Sequence, residues 1–364
     1  MYTNDRRIVM TLDAGGTNLV FSAIQGGKEI VTPVTLPAEA HCLAACLGNL
    51  VCGFTEILAA LPEAPAAISF AFPGPADYSA GIIGDLPNFP SFRGGVALGP
   101  FLEETFHIPV FINNDGNLFA YGEALAGALP FVNSRLEAAG SKKRYKNLLG
   151  VTWGTGFGAG VVIDGQLLAG DNGTGGDVWC FRNKKYPRYI VEESVSIRAV
   201  QQAYAAYSGD AGARTPKEIF EIAKETRPGN REAARAAFAE VGEMAGEAIA
   251  AALTLIDGLV VIGGGLTGAS EYILPALFKE LNAQTGMRNG DRFDRLQMKV
   301  FNLDDPGEFD AFARSQAAEI PVPGTDRTVA YDPFKRTGIL LSRLGTSHAV
   351  SLGAYIYALN HLTK

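Results

Sequence analysis

One short unit occurs twice in this sequence. Arg7 to Asp13 is an apolar run of strand character that ends in Asp13-Ala14-Gly15-Gly16-Thr17-Asn18, and a second apolar run, Leu19 to Ile24, leads to Gly26-Gly27. Further on, Leu148 to Thr152 leads into Gly154-Thr155-Gly156-Phe157-Gly158, and Gly160 to Ile163 returns to Asp164-Gly165. A strand, a glycine turn and a returning strand, used twice, imply an internally duplicated α/β architecture. The chain has 364 residues, of which 47% are hydrophobic, which is more than one core of ordinary size needs. Two α/β lobes sharing a central cleft are therefore expected.

The remaining pattern alternates helix and strand. Ala38 to Leu61 carries apolar residues at helical spacing, and Ala66 to Phe72 is a short strand stopped by Pro73-Gly74-Pro75. Pro109 to Ile112 is a strand ending in Asn113-Asn114-Asp115-Gly116, before an alanine-rich helix from Leu118 to Ala128. Glu193 to Ser208, Pro216 to Thr226 and Arg231 to Ile256 read as helices. The strand Gly258 to Ile262 then meets Gly263-Gly264-Gly265, and a helix begins near Ser270. Met287 to Asp332 breaks the periodicity and reads as an insertion or elaborated loop. Ser347 to Leu362 is an amphipathic closing helix. The expected lobes are residues 1–126, completed by the helix 349–364, and residues 127–348, with the insertion near 287–332.

Charge and cysteine content exclude several classes. A net charge of −7 provides no basic face for nucleic acid. Only 12 residues precede Asp13, so a DNA-binding domain ahead of it, as a sugar-responsive regulator would need, is not expected. Cys42, Cys46, Cys52 and Cys180 form no CxxC pair, and no signal peptide is evident, so a reduced cytoplasmic setting is expected. No apolar run reads as reaching the roughly 18–20 residues that span a bilayer. His41, Cys42 and Cys46 read as ordinary buried side chains.

The glycine turns carry chemistry. Backbone N–H groups approach phosphate oxygens closely where no Cβ intervenes, and an adjacent hydroxyl adds a donor. Gly15-Gly16-Thr17-Asn18 and Gly154-Thr155-Gly156-Phe157-Gly158 meet that requirement, although either alone is also an ordinary hairpin turn. Gly263-Gly264-Gly265 would let an adenine or ribose lie flat against backbone, or would simply be a flexible connection. A carboxylate at the end of an apolar strand is costly without a partner, and a hydrated Mg²⁺ would suit Asp13. The alternative is an aspartate capping its own turn.

Together these residues resemble the ROK sugar kinases, within the actin, hexokinase and Hsp70 superfamily. The resemblance runs through Asp13-x-Gly15-Gly16-Thr17, Pro73-Gly74-Pro75 with Gly81, Pro87-Asn88-Phe89-Pro90, Asn114-Asp115-Gly116-Asn117 with Gly122-Glu123, Gly154 to Gly160 and Gly263-Gly264-Gly265-Leu266. It implies two actin-like (ribonuclease H-like) lobes and an ATP-dependent kinase acting on a hexose or hexose derivative. Asp115 is implied as general base, Asn88 and Asn114 as sugar-hydroxyl ligands, and the glycine turns (with Asp13, Asn18, Gly156 and Gly158) as the seat of Mg·ATP. A homodimer is implied as well. The chemistry suits these residue types, because a sugar hydroxyl is a poor nucleophile until a carboxylate takes its proton. The bland reading of Asn114-Asp115 is a helix cap after a strand.

The chain also departs from that pattern. Where many members carry Gly-Glu-x-Gly-His and a cysteine-rich zinc site, this sequence has Gly176-Asp177-Val178-Trp179-Cys180 and no cysteine in Phe181 to Val191. One thiol does not make a four-ligand site, so no structural zinc is expected. Asp177 matches the glutamate, and Glu192 and Ser196 match Glu-x-x-x-Ser, keeping both carboxylates as sugar contacts. Trp179 is either an apolar platform for a sugar face or core packing. A sugar or nucleotide sensor that binds without turnover is the competing expectation.

Overall fold

The computed structural model describes residues 2–84, 89–210 and 212–362. The chain forms two compact units. One comprises Met1–Gly127, Gly160–Gly176 and Arg343–Lys364, the other Ala128–Ala159 and Asp177–Ser342.

The first unit contains β1 (Val9–Ala14), β2 (Asn18–Gln25), β3 (Lys28–Glu29), β4 (Val34–Pro37), α1 (Leu43–Ala60) and β5 (Ala67–Ala71). It continues with a hairpin of β6 (Ala76–Asp77) and β7 (Ile82–Ile83), then α2 (Leu98–Phe106), β8 (Val110–Asn113) and α3 (Asp115–Leu125). Its sheet runs β3-β2-β1-β5-β8, with β4 on β2. Only β1–β2 and the short outer pairs are antiparallel; β1, β5 and β8 are parallel. Every residue of β5 is buried, as a central parallel strand requires. Helix α1 begins five residues later than its apolar spacing suggests: Glu39 adopts φ +48° and the N-cap residue Cys42 is extended at φ −129° and ψ 103°, both outside the helical region. Its face of Cys46, Leu50, Phe54 and Ile57 enters the core, where the Phe21 and Phe54 rings meet edge-on at 5.0 Å.

Two expectations about this helix need correction. Leu43–Ala60 has 18 residues and a mean hydropathy of 1.7, so by length and composition an apolar run long enough to cross a membrane does exist. His41 and Cys42 are exposed, and only Cys46 of this group is buried.

The C-terminal helix (Thr346–Leu362) is buried around most of its circumference rather than on one stripe. Its backbone lies directly on α3: a Cβ on Gly353 would strike the Leu118 carbonyl, and one on Gly122 the Ala349 carbonyl. Residues 160–176 and 343–348, which the sequence pattern groups with the second lobe, pack in the first unit. A Cβ on Gly160 would come within 2.5 Å of the Gly116 carbonyl oxygen. The Leu344 amide donates to the buried Glu123 carboxylate at 3.4 Å.

The second unit contains α4 (Ala128–Ala138), β9 (Leu148–Trp153) and the start of β10 (Phe157–Ile163); the rest of β10 and β11 (Gln166–Leu167) belong to the 160–176 stretch of the first unit. Helices α5 (Ile197–Ser208), α6 (Pro216–Ala223) and α7 (Arg231–Ile256) follow, then β12 (Leu259–Gly263) and α8 (Ser270–Leu281). The sheet order is β11-β10-β9-β12-β18-β15, where β15 is Lys299–Asn302 and β18 is Arg336–Leu341. Its first five members repeat the order of the first sheet, which is the duplication the two glycine turns announce. The helices are capped by the residue types that favour it: Thr215 and Glu218 form a reciprocal capping box at α6, and Asn230 caps α7.

The stretch 287–332 is not simply loop. It supplies β15 and α9 (Pro306–Ala313), both with buried residues, between the exposed hairpins β13–β14 (Gln284–Gly286, Arg292–Asp294) and β16–β17 (Ala318–Pro321, Thr328–Tyr331).

Candidate active site

In the first unit the sheet register gathers the predicted residues. Asp13 of β1 lies opposite Ala71 of β5, and Ala71 lies opposite Asn113 of β8. Parallel neighbours are about 4.8 Å apart, so Asp13 and Asn113 stand about 10 Å apart at the carboxyl ends of their strands. Asp115 follows at the first turn of α3. Open α/β sheets present this edge to ligands.

Asn114 caps α3, its Oδ1 accepting the amides of Gly116 at 2.8 Å and Asn117 at 3.4 Å. The cap uses only the oxygen; the Asn114 Nδ2 has no acceptor among the described residues. The Asp115 carboxylate accepts the Gly116 amide at 2.8 Å. The side chain is solvent-accessible, yet desolvation by the protein around it pushes its carboxyl above the usual carboxylate range, the Gly116 amide opposing and the Asp13 charge adding to the rise. Desolvation raises Asp13 as well. No cation among the described residues pairs with Asp13, so a hydrated divalent ion fits it. Asn88 lies outside the described residues.

The turn after β1 is closed by the Gly15 amide donating to the Asn18 carbonyl at 2.9 Å. The amides of Gly16 and Thr17 have no acceptor among the described residues, and a Cβ on Gly16 would meet nothing within 4 Å. This open backbone fits a phosphate.

In the second unit, Thr152 of β9 is in register with Gly263 of β12, so the turns 154–158 and 263–265 leave the sheet side by side. The glycines there divide into two kinds. Gly154 and Gly265 face open space. Gly156, Gly158 and Gly264 serve internal packing: a Cβ would meet the Glu192 carboxylate at 2.6 Å, the Thr152 hydroxyl at 2.6 Å and, at Gly264, the Trp153 backbone. With φ +93° and that contact, Gly264 is no flexible connection. Thr155 is exposed and its amide, like that of Gly156, has no acceptor among the described residues.

Glu192 sits in the short turn Val191–Ser194 and reaches the glycine turn, its Oε2 accepting the Phe157 amide at 2.9 Å while Oε1 lies 3.5 Å from Arg198. Asp177 precedes the turn Val178–Cys180, which packs against the Glu192 turn. Desolvation raises the Asp177 carboxyl, and a hydrogen bond from Trp179 opposes it. Cys180 Sγ donates to the Asp177 carbonyl at 2.9 Å. Trp179 is 39% exposed, which removes core packing as its role. Sequence reasoning missed the tie between Glu192 and Phe157, because hydrogen bonding across 35 residues leaves no local pattern.

A crystal structure of a glucokinase from Parabacteroides distasonis is 72% identical, covers 99% of each chain and superposes with a TM-score of 0.92. A glucokinase from Thermotoga maritima is 28% identical over 59% of this chain and 68% of its own length. A xylose repressor from Caldicellulosiruptor bescii is 25% identical over 67% of this chain, which spans 60% of the repressor. The ROK family model matches residues 9–292, and the chain belongs to the ROK family.

Proposed function

We propose that this protein is an ATP-dependent hexose kinase in which Asp115 is the general base. The observation that carries the reading is the register Asp13–Ala71–Asn113, which brings two carboxylates with raised proton affinity to one strand edge beside unpaired backbone donors. The similarity to two glucokinases supports the substrate class.

Asp115 takes the proton of the attacking hydroxyl, and its raised affinity brings it nearer the operating pH than an ordinary aspartate, which favours proton transfer. Asn114 Nδ2 donates to a sugar hydroxyl, and Asn88, Asp177 and Glu192 are proposed as further sugar contacts. The amides of Gly16, Thr17, Thr155 and Gly156 receive phosphate oxygens, Gly154 and Gly263 to Gly265 border the nucleotide, and Asp13 orients a hydrated Mg²⁺. When bound, Mg·ATP supplies the transferable phosphoryl group and neutralises its charge. A cytoplasmic location and a homodimer complete the proposal.

The test is ADP release from Mg·ATP with glucose, fructose, mannose, N-acetylglucosamine and N-acetylmannosamine. Turnover with at least one sugar supports the reading. Binding of sugar or ATP without turnover of any of them replaces it with a sensor.

A further inference from the structure

The segment between the two proposed sugar-contact turns closes on a single amide. Asn183 is fully buried. Its Oδ1 accepts the amides of Lys185 at 3.0 Å and Tyr186 at 2.9 Å, and its Nδ2 donates to Ser194 Oγ at 2.8 Å and, at 3.4 Å, to the Ile190 carbonyl. Its own backbone amide donates to the Tyr189 carbonyl at 3.0 Å. One side chain thus ties both arms of the 181–194 segment together, with the Val191 amide on the Phe181 carbonyl at 2.7 Å alongside.

Both ends of this segment lead to the site. Phe181 directly follows the turn that begins after Asp177, and Ser194 ends the turn that carries Glu192. From Asn183 the connection therefore runs through Ser194 to Glu192 and on to the Phe157 amide in the glycine turn.

The segment is also held from outside. Lys185 Nζ lies 2.9 Å from Glu240 and 2.6 Å from the Tyr207 hydroxyl, and Lys184 lies 2.8 Å from Glu280. These lysines are about 40% exposed, and exposed pairs contribute little. A buried amide with every hydrogen-bonding group satisfied is costly to disturb, because its removal leaves several polar groups unpaired in the interior.

We propose that Asn183 is a positioning residue: it sets the placement of Asp177 and Glu192 and through them the affinity for the hexose. The proposal rests on the kinase reading for its consequence, but not for its geometry.

The test uses Asn183→Ala and Ser194→Ala in the full chain, with two readouts. The first is amide hydrogen exchange at Phe157 and Val191, measured against the β12 amides. The second is the KM for the hexose against the KM for ATP. We expect exchange at Phe157 and Val191 to quicken by about tenfold or more with β12 unchanged. The hexose KM should rise by about ten- to a hundredfold, more than the ATP KM. Ser194→Ala removes only the nearer of the two Nδ2 acceptors and carries the same readouts if Asn183→Ala does not fold. Unchanged exchange at Phe157, or a loss of thermal stability with both KM values intact, overturns the proposal. If the wild type turns over no hexose, the kinase reading fails while the exchange measurement still decides whether Asn183 positions Glu192.

Discussion

Glu192 Oε2 accepts the backbone amide of Phe157, linking a carboxylate expected at the sugar to the glycine turn expected at the nucleotide. Glu192 also occupies the space a Cβ on Gly156 would need, so turn and carboxylate fit as a pair. Glu192→Ala leaves the Phe157 amide unpaired and Arg198 with Glu193 alone. An unsatisfied donor costs about 1–3 kcal/mol. Steady-state kinetics should show KM rising about tenfold or more for both substrates, and an ATP KM that stays at the wild-type value would contradict the link.

The two kinds of glycine separate stability from binding. Gly264→Ala places a Cβ on the Trp153 backbone at φ +93° and should lower stability by about 2–4 kcal/mol, read by denaturant unfolding. Gly16→Ala enters open space and should change stability by no more than about 0.5 kcal/mol while weakening ATP binding. The reverse ordering would mean that the glycines have been misassigned.

Within the first unit, Gly353→Ala should be among the more damaging substitutions remote from the chemistry. Its Cβ would strike the Leu118 carbonyl of α3, a backbone atom with no rotamer to yield. We expect a loss of about 2–4 kcal/mol, with kcat of the folded fraction near wild type.

Asp115 should trade stability for activity. Its carboxyl is raised in the folded state, so the native protein holds that proton more tightly than the unfolded chain. Ionisation therefore costs stability, the penalty being complete above the folded value and relieved as pH falls toward the unfolded one. Asp115→Asn should have a Tm at or above that of the wild type at neutral pH, together with a loss of turnover of about 10²–10⁴. In the wild type, kcat/KM should fall on the acid side with an apparent pKa above that of an ordinary aspartate. A lower Tm for Asp115→Asn would oppose this account of the shift.

Much of the fold was legible where local pattern and tertiary packing agree. Arg231–Ile256 has helical spacing, an Asn cap and no interruption, and it forms a helix over those residues. The α/β class and the duplicated unit follow from the two glycine turns. Legibility failed where a distant contact decides. The alanine-rich helix after Asp115 ends at Leu125, and Gly127, lying against the Glu123 carboxylate, precedes a separate helix, α4. The helix expected from Glu193 starts instead at Ile197, because Ser196 caps it and the residues before it form the turn held by Glu192. In 287–332 the polar hairpins mask β15 and α9. At the candidate site, the strand ends named Asp13 and Asp115, whereas Asn183 and the Glu192–Phe157 bond depend on a folded segment with no sequence period.

The central claim is tested most directly by measuring hexose-dependent ADP release by the wild type and Asp115→Ala, with ATP binding by both measured alongside. The account predicts turnover by the wild type and a loss of about 10² or more in the variant, with ATP binding retained. Turnover by the variant at a rate comparable to the wild type would contradict it.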